Sequence, residues 1–278
     1  MERKKSLPLY CLLVSCLAGL LLSLSGCDND PQKVTAAEDP YPDKGDFRLL
    51  YHLIRKNSPA KDVIAELRTN RIADEVVKEL NQLFKLPHDV PIYFKEAVDT
   101  TNAWYDPDSR KITFSTSMVD VIYTIFAEVY EGDELRAKAM NAVIFILFHE
   151  IGHALIDMYD LSVTGSEEDV VDNFSIFLLT TGNELAEAAA IDGANFFNVL
   201  ARAEEGMPVG LLPLWDEHSL SKERFFNIIT KVYGKDPQRY EYFVTKGLFP
   251  AEKTQRYVQD YQKVMQSWKR DLDPYLKK

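Results

Sequence analysis

Cysteine is almost missing from this sequence. Only Cys11, Cys16 and Cys27 occur among 278 residues, so whatever folds after residue 27 has no thiol to pair and no disulfide to brace it. Histidine is scarce too, at five residues, so a pair at metal-ligand spacing is informative. No glycine-rich phosphate loop and no Gly-x-Ser-x-Gly elbow is present. No internal repeat appears, which sets aside solenoid architectures. Positive charge is in short supply: 32 Lys and Arg stand against 43 Asp and Glu, for a net charge of −11. An acidic chain argues against a nucleic-acid partner and against an electrostatic grip on anionic lipid, and leans toward neutral or basic substrates. Tyr and Phe are plentiful, but their spacing is that of core stripes and strand faces rather than of a cofactor box.

The start of the chain differs from the rest. Arg3, Lys4 and Lys5 precede an apolar run over residues 7–24, broken only by small residues and Pro8, and Leu24-Ser25-Gly26-Cys27 follows. Small residues before a cleavage point make this a secretory signal. It resembles the bacterial lipoprotein signal, whose lipobox ends in the cysteine that is lipidated. The resemblance implies that Cys27 becomes the mature N-terminus and carries acyl chains such as palmitate, and more than one chain gives stable anchoring. An uncleaved anchor and a plain signal peptide are the alternatives, since about 18 apolar residues can just span a bilayer. Asp28 resembles the inner-membrane retention signal of enteric-type bacteria. The expected location is the bacterial cell envelope, facing outside the cytoplasm. Removing residues 1–26 deletes three basic residues and one acidic one, leaving a net charge of −13. Residues 27–45 read as a tether and 46–278 as one domain.

Within that domain, residues 46–54 read as a first strand. Residues 61–68 and 72–84 have helical spacing, with Ile72, Val76, Leu80 and Leu83 on one face. Residues 90–94 form a short strand in which Pro91 points to an edge or a strand start. Residues 102–105 and 111–114 flank Asp106-Pro107-Asp108-Ser109, the pattern of a hairpin. Ser115 or Ser117 can cap a helix over 119–130, and Gly132-Asp133 ends it and caps a central helix. After a loop at 161–165, Ser166 heads a helix to about residue 180, with Asp169 as a capping-box partner. An Ala-rich helix covers 184–203, and 207–217 is loop. Residues 221–232 form a helix stopped by Gly234. Asp236 then caps a helix with Pro237 at its first position. A polar helix over 251–272 closes the chain. No second apolar run is long enough to cross a membrane. A small sheet followed mostly by helices is an α+β pattern.

The chain is organised around residues 142–155, whose centre reads His149-Glu150-Ile151-Gly152-His153. The flanks are apolar and free of proline, so this is a buried helix. Positions i and i+4 lie one above the other, so His149 and His153 point the same way, and imidazole nitrogen suits zinc. Glu150 stands where a carboxylate can take a proton from metal-bound water. The plain alternative is two hydrogen-bonded core histidines, costly in so apolar a helix. A catalytic zinc takes three protein ligands. One extended motif places a third His six residues after the second, but that position is Tyr159. In Ser166-Glu167-Glu168-Asp169-Val170-Val171-Asp172, Glu168 and Asp172 are four apart on one helix face. Glu168 would bind the metal and Asp172 would accept from the far nitrogen of a ligand His. Glu167 stays open as the third ligand, as do Glu184 and Glu187 with a longer fold-back. An acidic first turn complementing the helix dipole explains the same charges.

This pattern is similar to the glutamate-ligated zincins such as thermolysin, with shorter spacing. It more closely resembles a bacterial metallopeptidase-type family, a domain of unknown function. The segments that carry the resemblance include Asn102-Ala103-Trp104-Tyr105-Asp106-Pro107, the His149–His153 core and the acidic segment at 167–172. They continue through Trp215-Asp216-Glu217-His218, Arg224-Phe225-Phe226-Asn227 and Tyr233-Gly234-Lys235-Asp236-Pro237, so most of residues 46–245 are covered. The family often carries cysteines where this chain has Ser115-Thr116 and Thr230, so that disulfide is absent here. The resemblance implies a zincin-like fold, one Zn2+ held by His149, His153 and Glu168, and cleavage of a peptide or protein substrate. It also suggests His218 as a donor to the oxyanion of the tetrahedral intermediate. Arg224 is an alternative donor, or a simple ion-pair partner of Glu217 or Glu223. His52 and His88 have no motif around them and read as structural or exposed. The rival expectation is a lipid-anchored binding or scaffold protein with a retained, non-catalytic zinc site.

Overall fold

The computed structural model describes residues 40–52, 58–69, 72–96, 100–182, 184–205 and 220–277. The N-terminal stretch expected to be a lipoprotein signal, with Cys27, and the segment carrying His218 lie outside the described residues. The architecture is α+β, as the element pattern implied. β1 (Phe47–Tyr51), β2 (Val90–Lys95), β3 (Ala103–Asp106) and β4 (Lys111–Ser115) form one sheet in the order β1-β2-β4-β3. β1, β2 and β4 run parallel, and β3 is antiparallel to β4 at the edge. The crossover from β1 to β2 is made through α1 (Lys61–Thr69) and α2 (Ile72–Leu83).

Alternation builds the sheet. Val90, Ile92 and Phe94 of β2 are buried while their neighbours are half-buried. The Phe94 ring stacks between Tyr51 of β1 and Phe114 of β4, at 5.5 and 5.1 Å. Pro91 sits near the start of a central strand. It is tolerated there because pairing with β4 begins only at Ile92. The hairpin turns as read from the sequence, with Asp106 accepting from the Asp108 and Ser109 amides and the left-handed Arg110 (φ 54°) closing it.

The helical body follows as α3 (Thr116–Ala127), α4 (Gly132–Tyr159), α5 (Glu167–Thr181), α6 (Glu184–Glu204), α7 (Ser221–Lys235), α8 (Glu241–Thr245) and α9 (Thr254–Leu272). Ser115 is the cap of α3, its hydroxyl accepting from the Met118 amide at 3.2 Å. Several local expectations are corrected. Gly132 (φ 61°) turns the chain into α4, but Glu131 occupies the cap position and no side chain caps it. Ser166 occupies the cap position of α5 without a capping hydrogen bond, so no capping box forms. Gly234 does not stop α7 but lies within it. A Cβ there would come within 2.4 Å of the Tyr257 carbonyl oxygen, so the glycine serves close approach of α9. Asp236 closes a turn by accepting from the Arg239 amide at 3.0 Å. The cap position of α8 is Tyr240, beyond Pro237.

α4 is the axis of the molecule, packed between the β3–β4 edge of the sheet and helices α3, α5 and α6. Its mean hydropathy reaches 1.6 over 18 residues, so by length and composition it is a second run able to cross a membrane. That window is 89% buried within the protein, which makes it a core helix instead. The body also begins before residue 46. The Lys44 and Gly45 amides donate to Leu86 O at 2.7 and 3.0 Å, and Tyr41 packs on Tyr275.

Candidate metal centre

α4 leaves the sheet edge, turns at the left-handed Asp160 (φ 50°), and α5 folds back beside it. Gly152 lies at the crossing. A Cβ there would meet the Val171 Cβ at 3.0 Å and the Phe174 ring at 3.1 Å, so the missing side chain lets α5 approach. The approach brings His149 and His153 of α4 onto Glu168 of α5. Glu168 Oε2 lies 3.0 Å from His149 Nε2, and Oε1 lies 3.2 Å from His153 Nε2. One ligand atom from each of the three residues falls within 4.8 Å of the others.

Carboxylates hold the far side of each ring. Asp172 Oδ1 is 2.8 Å from His149 Nδ1, and Glu167 Oε1 is 2.7 Å from His153 Nδ1. An ionised carboxylate only accepts, so each Nδ1 carries the proton and each neutral ring turns a lone pair at Nε2 toward Glu168. Two sets of acceptor atoms therefore face each other at 3.0–3.2 Å, which a positive species between them must resolve. A proton does so in the metal-free protein. Burial alone would lower the His149 pKa, but the hydrogen bonds to Asp172 and Glu168 win and hold it up at about 9. His153 moves the same way: burial lowers it, and the bond to Glu168 outweighs burial.

A metal ion resolves the same conflict. Tetrahedral bonds of about 2.0–2.1 Å place neighbouring donor atoms about 3.3 Å apart, close to the separations found. Two imidazole nitrogens and one carboxylate oxygen are a zinc-type donor set. The residues present thus fit a divalent metal, and His153 and Glu168 border, with Glu150 and Glu167, a cleft of about 690 Å³. Glu150 is only 3% exposed yet borders this cleft. The edge of β3, unpaired among the described residues, contributes Ala103, Trp104 and Tyr105 to its lining. The Tyr105 hydroxyl donates to Asp157 of α4 at 2.7 Å, one helical turn beyond His153.

The sequence-read residues sort as follows. His149, His153 and Glu168 come together, Glu150 lies at their cleft, and Asp172 meets the far nitrogen of His149. Glu167, open as a third ligand, instead orients His153. Glu184 and Glu187 lie elsewhere: Glu184 pairs with Arg239, and Glu187 with Lys235 and the Tyr240 hydroxyl. Tyr159 donates to Lys85 O and stacks on Tyr275 at 3.7 Å, away from the site. Among the described residues Arg224 pairs with Asp172 rather than with Glu223 and does not line the cleft, while Glu217 lies outside them. Arg224 is buried behind His149, with Nε and Nη2 donating to Asp172 at 2.8 and 2.6 Å. Burial would raise the Asp172 pKa, but Arg224 and His149 pull it down to about 2. Sequence reasoning missed the Glu167–His153 bond and the Tyr105–Asp157 bridge. The i+4 spacing from His153 to Asp157 was the available clue to the second.

The profile of a family described as "Putative metallopeptidase" matches residues 54–272. No curated protein and no solved structure matches the chain.

Proposed function

The chain belongs to that metallopeptidase family, and from this premise we propose that it is a zinc-dependent peptidase hydrolysing peptide bonds with activated water. One observation carries the reading: Glu168 lies 3.0 and 3.2 Å from the Nε2 atoms of His149 and His153, beside a cleft lined by His153, Glu168 and Glu150. When bound, zinc supplies Lewis acidity, polarising the peptide carbonyl and lowering the pKa of water toward ~7. His149, His153 and Glu168 would hold the ion, with Asp172 and Glu167 fixing the two rings. Glu150 takes the proton of the attacking water and later delivers one to the departing amine. The edge of β3, unpaired among the described residues, offers main-chain groups along which an extended substrate can lie.

The proposal extends to location. Cleavage after Gly26 and lipidation of Cys27 would hold the enzyme on a membrane of the bacterial cell envelope, outside the cytoplasm, with an acyl-linked Cys27 as the mass-spectrometric signature. The chemistry is tested by Glu150→Gln, which leaves donors, shape and burial in place. Cleavage of a peptide library should fall by about 10²–10⁴-fold, with zinc content and circular dichroism unchanged. Retained hydrolysis would remove Glu150 from the reaction.

A further inference from the structure

We infer that Arg224 is a positioning residue for the metal centre, acting through Asp172, and that it ties metal binding to the seating of α7. The inference rests on the proposed zinc site but not on peptidase activity. Arg224 stands in the first turn of α7, 52 residues from Asp172. Its guanidinium makes a two-pronged contact with one carboxylate, Nε to Oδ2 and Nη2 to Oδ1. Its flat face lies on the Phe197 ring of α6, 3.9 Å from the centroid. Nη2 also comes within 3.2 Å of His149 Nδ1.

These contacts have a directional consequence. The Asp172 carboxylate is buried completely, and a lone carboxylate so placed could rotate or take up a proton. With both oxygens engaged by the fork, it can do neither. Oδ1 is then fixed 2.8 Å from His149 Nδ1, where it accepts. Because the ionised carboxylate of Asp172 can only accept, Nδ1 of His149 must be the donor in that pair, and its approach to Arg224 Nη2 is a contact between two donors rather than a hydrogen bond. Nε2 is thereby left as the basic nitrogen, aimed at Glu168. The three helices α4, α5 and α7 each contribute one member of the chain His149–Asp172–Arg224, so the imidazole is only as well aimed as α7 is seated. By linkage, an ion that favours the aimed imidazole also favours seated α7.

A merely structural arginine would stabilise the fold without altering zinc affinity, and the test separates the two. Zinc affinity is measured by competition with a chelator on the purified full-length chain, for wild type, Arg224→Met, Arg224→Lys, Asp172→Asn and the two Arg224/Asp172 double variants. Loss of such an orienting contact weakens metal binding by about 10–100-fold. Arg224→Met should show that loss in the folded, metal-free protein, and Arg224→Lys an intermediate one, because a point charge does not reproduce the fork. In the Asp172→Asn background, further replacement of Arg224 should cost less than about threefold. If Arg224→Met does not fold, the Arg224→Lys pair supplies the same cycle. Wild-type affinity in a folded Arg224 variant, or fully additive losses in the double variant, would overturn the inference. Failure of the wild type itself to bind zinc would instead overturn the proposed site.

Discussion

Replacing Gly152 by alanine tests how the centre is assembled, because that glycine is where α4 admits α5. The added methyl would sit 3.0 Å from both Val171 Cβ and Cγ1 and 3.1 Å from the Phe174 ring, each a few tenths of an ångström too close. Val171 and Phe174 are fully buried and have little room to yield. Two effects oppose each other. Alanine gains about 0.8–1.0 kcal/mol of helix propensity over glycine, while overpacking costs about 1–3 kcal/mol. The net loss of stability is therefore modest, about 0–2 kcal/mol. Metal binding should suffer more, since Val171 lies between Glu168 and Asp172 on α5. A displacement there widens the 3.0 and 3.2 Å separations to both imidazoles. A tenfold weaker site is expected, the low end for disturbed ligand support. At a zinc concentration 100 times the wild-type Kd, the ion stabilises wild type by about 2.7 kcal/mol. A tenfold weaker site gains only about 1.4 kcal/mol. Denaturant unfolding with and without zinc reads this directly. Val77→Ala is the control, because it removes buried methyl groups from α2, away from the centre. It should lower stability and leave the zinc increment whole. An unchanged zinc increment in folded Gly152→Ala would refute the reasoning.

The titrations give a second prediction, with diverging pH dependence for metal-free and metal-loaded protein. In the metal-free chain His149 is raised from 6.5 to about 9, so its contribution is full below ~6.5 and is lost as pH rises through 9. Asp172 is lowered from 3.8 to about 2, so its contribution is full above ~4 and is lost as pH falls through 2. Unfolding temperature without metal should therefore fall between pH 6.5 and 9. The zinc-dependent increment should rise over the same range, as the ion no longer competes with a proton; parallel curves would contradict this. Finally, Tyr105→Phe removes the bridge to Asp157 at the cleft and should cost about 0.5–1.5 kcal/mol with hydrolysis retained. Abolished hydrolysis in folded protein would mean that Tyr105 takes part in the chemistry.

Much of the centre was legible because its information is local. His149 and His153 are one helical turn apart, and so are Glu168 and Asp172. A short loop joins the two helices, so their meeting follows from spacing alone. The strands and the hairpin were legible from alternation and turn residues. What was hidden depends on contacts distant in sequence. Arg224 begins a helix next to two phenylalanines and looks like any amphipathic arginine until α7 is laid against α5. Gly234 looks like a helix stop because glycine commonly ends helices, whereas packing against Tyr257 and Tyr261 explains it. Ser166 satisfies the sequence rule for a cap but makes no capping bond. The parallel order β1-β2-β4, with β3 placed outside, follows from which faces the helices cover rather than from any single strand.

The proposed chemistry requires that a metal ion, rather than a proton alone, join the imidazoles of His149 and His153 to the Glu168 carboxylate. Elemental analysis of the purified chain after exposure to zinc and removal of the excess tests it most directly. One zinc per chain is expected in wild type, and less than about a tenth of that in a folded His149→Ala/His153→Ala variant. Wild-type protein without stoichiometric metal, or a double variant that keeps its zinc, would contradict it.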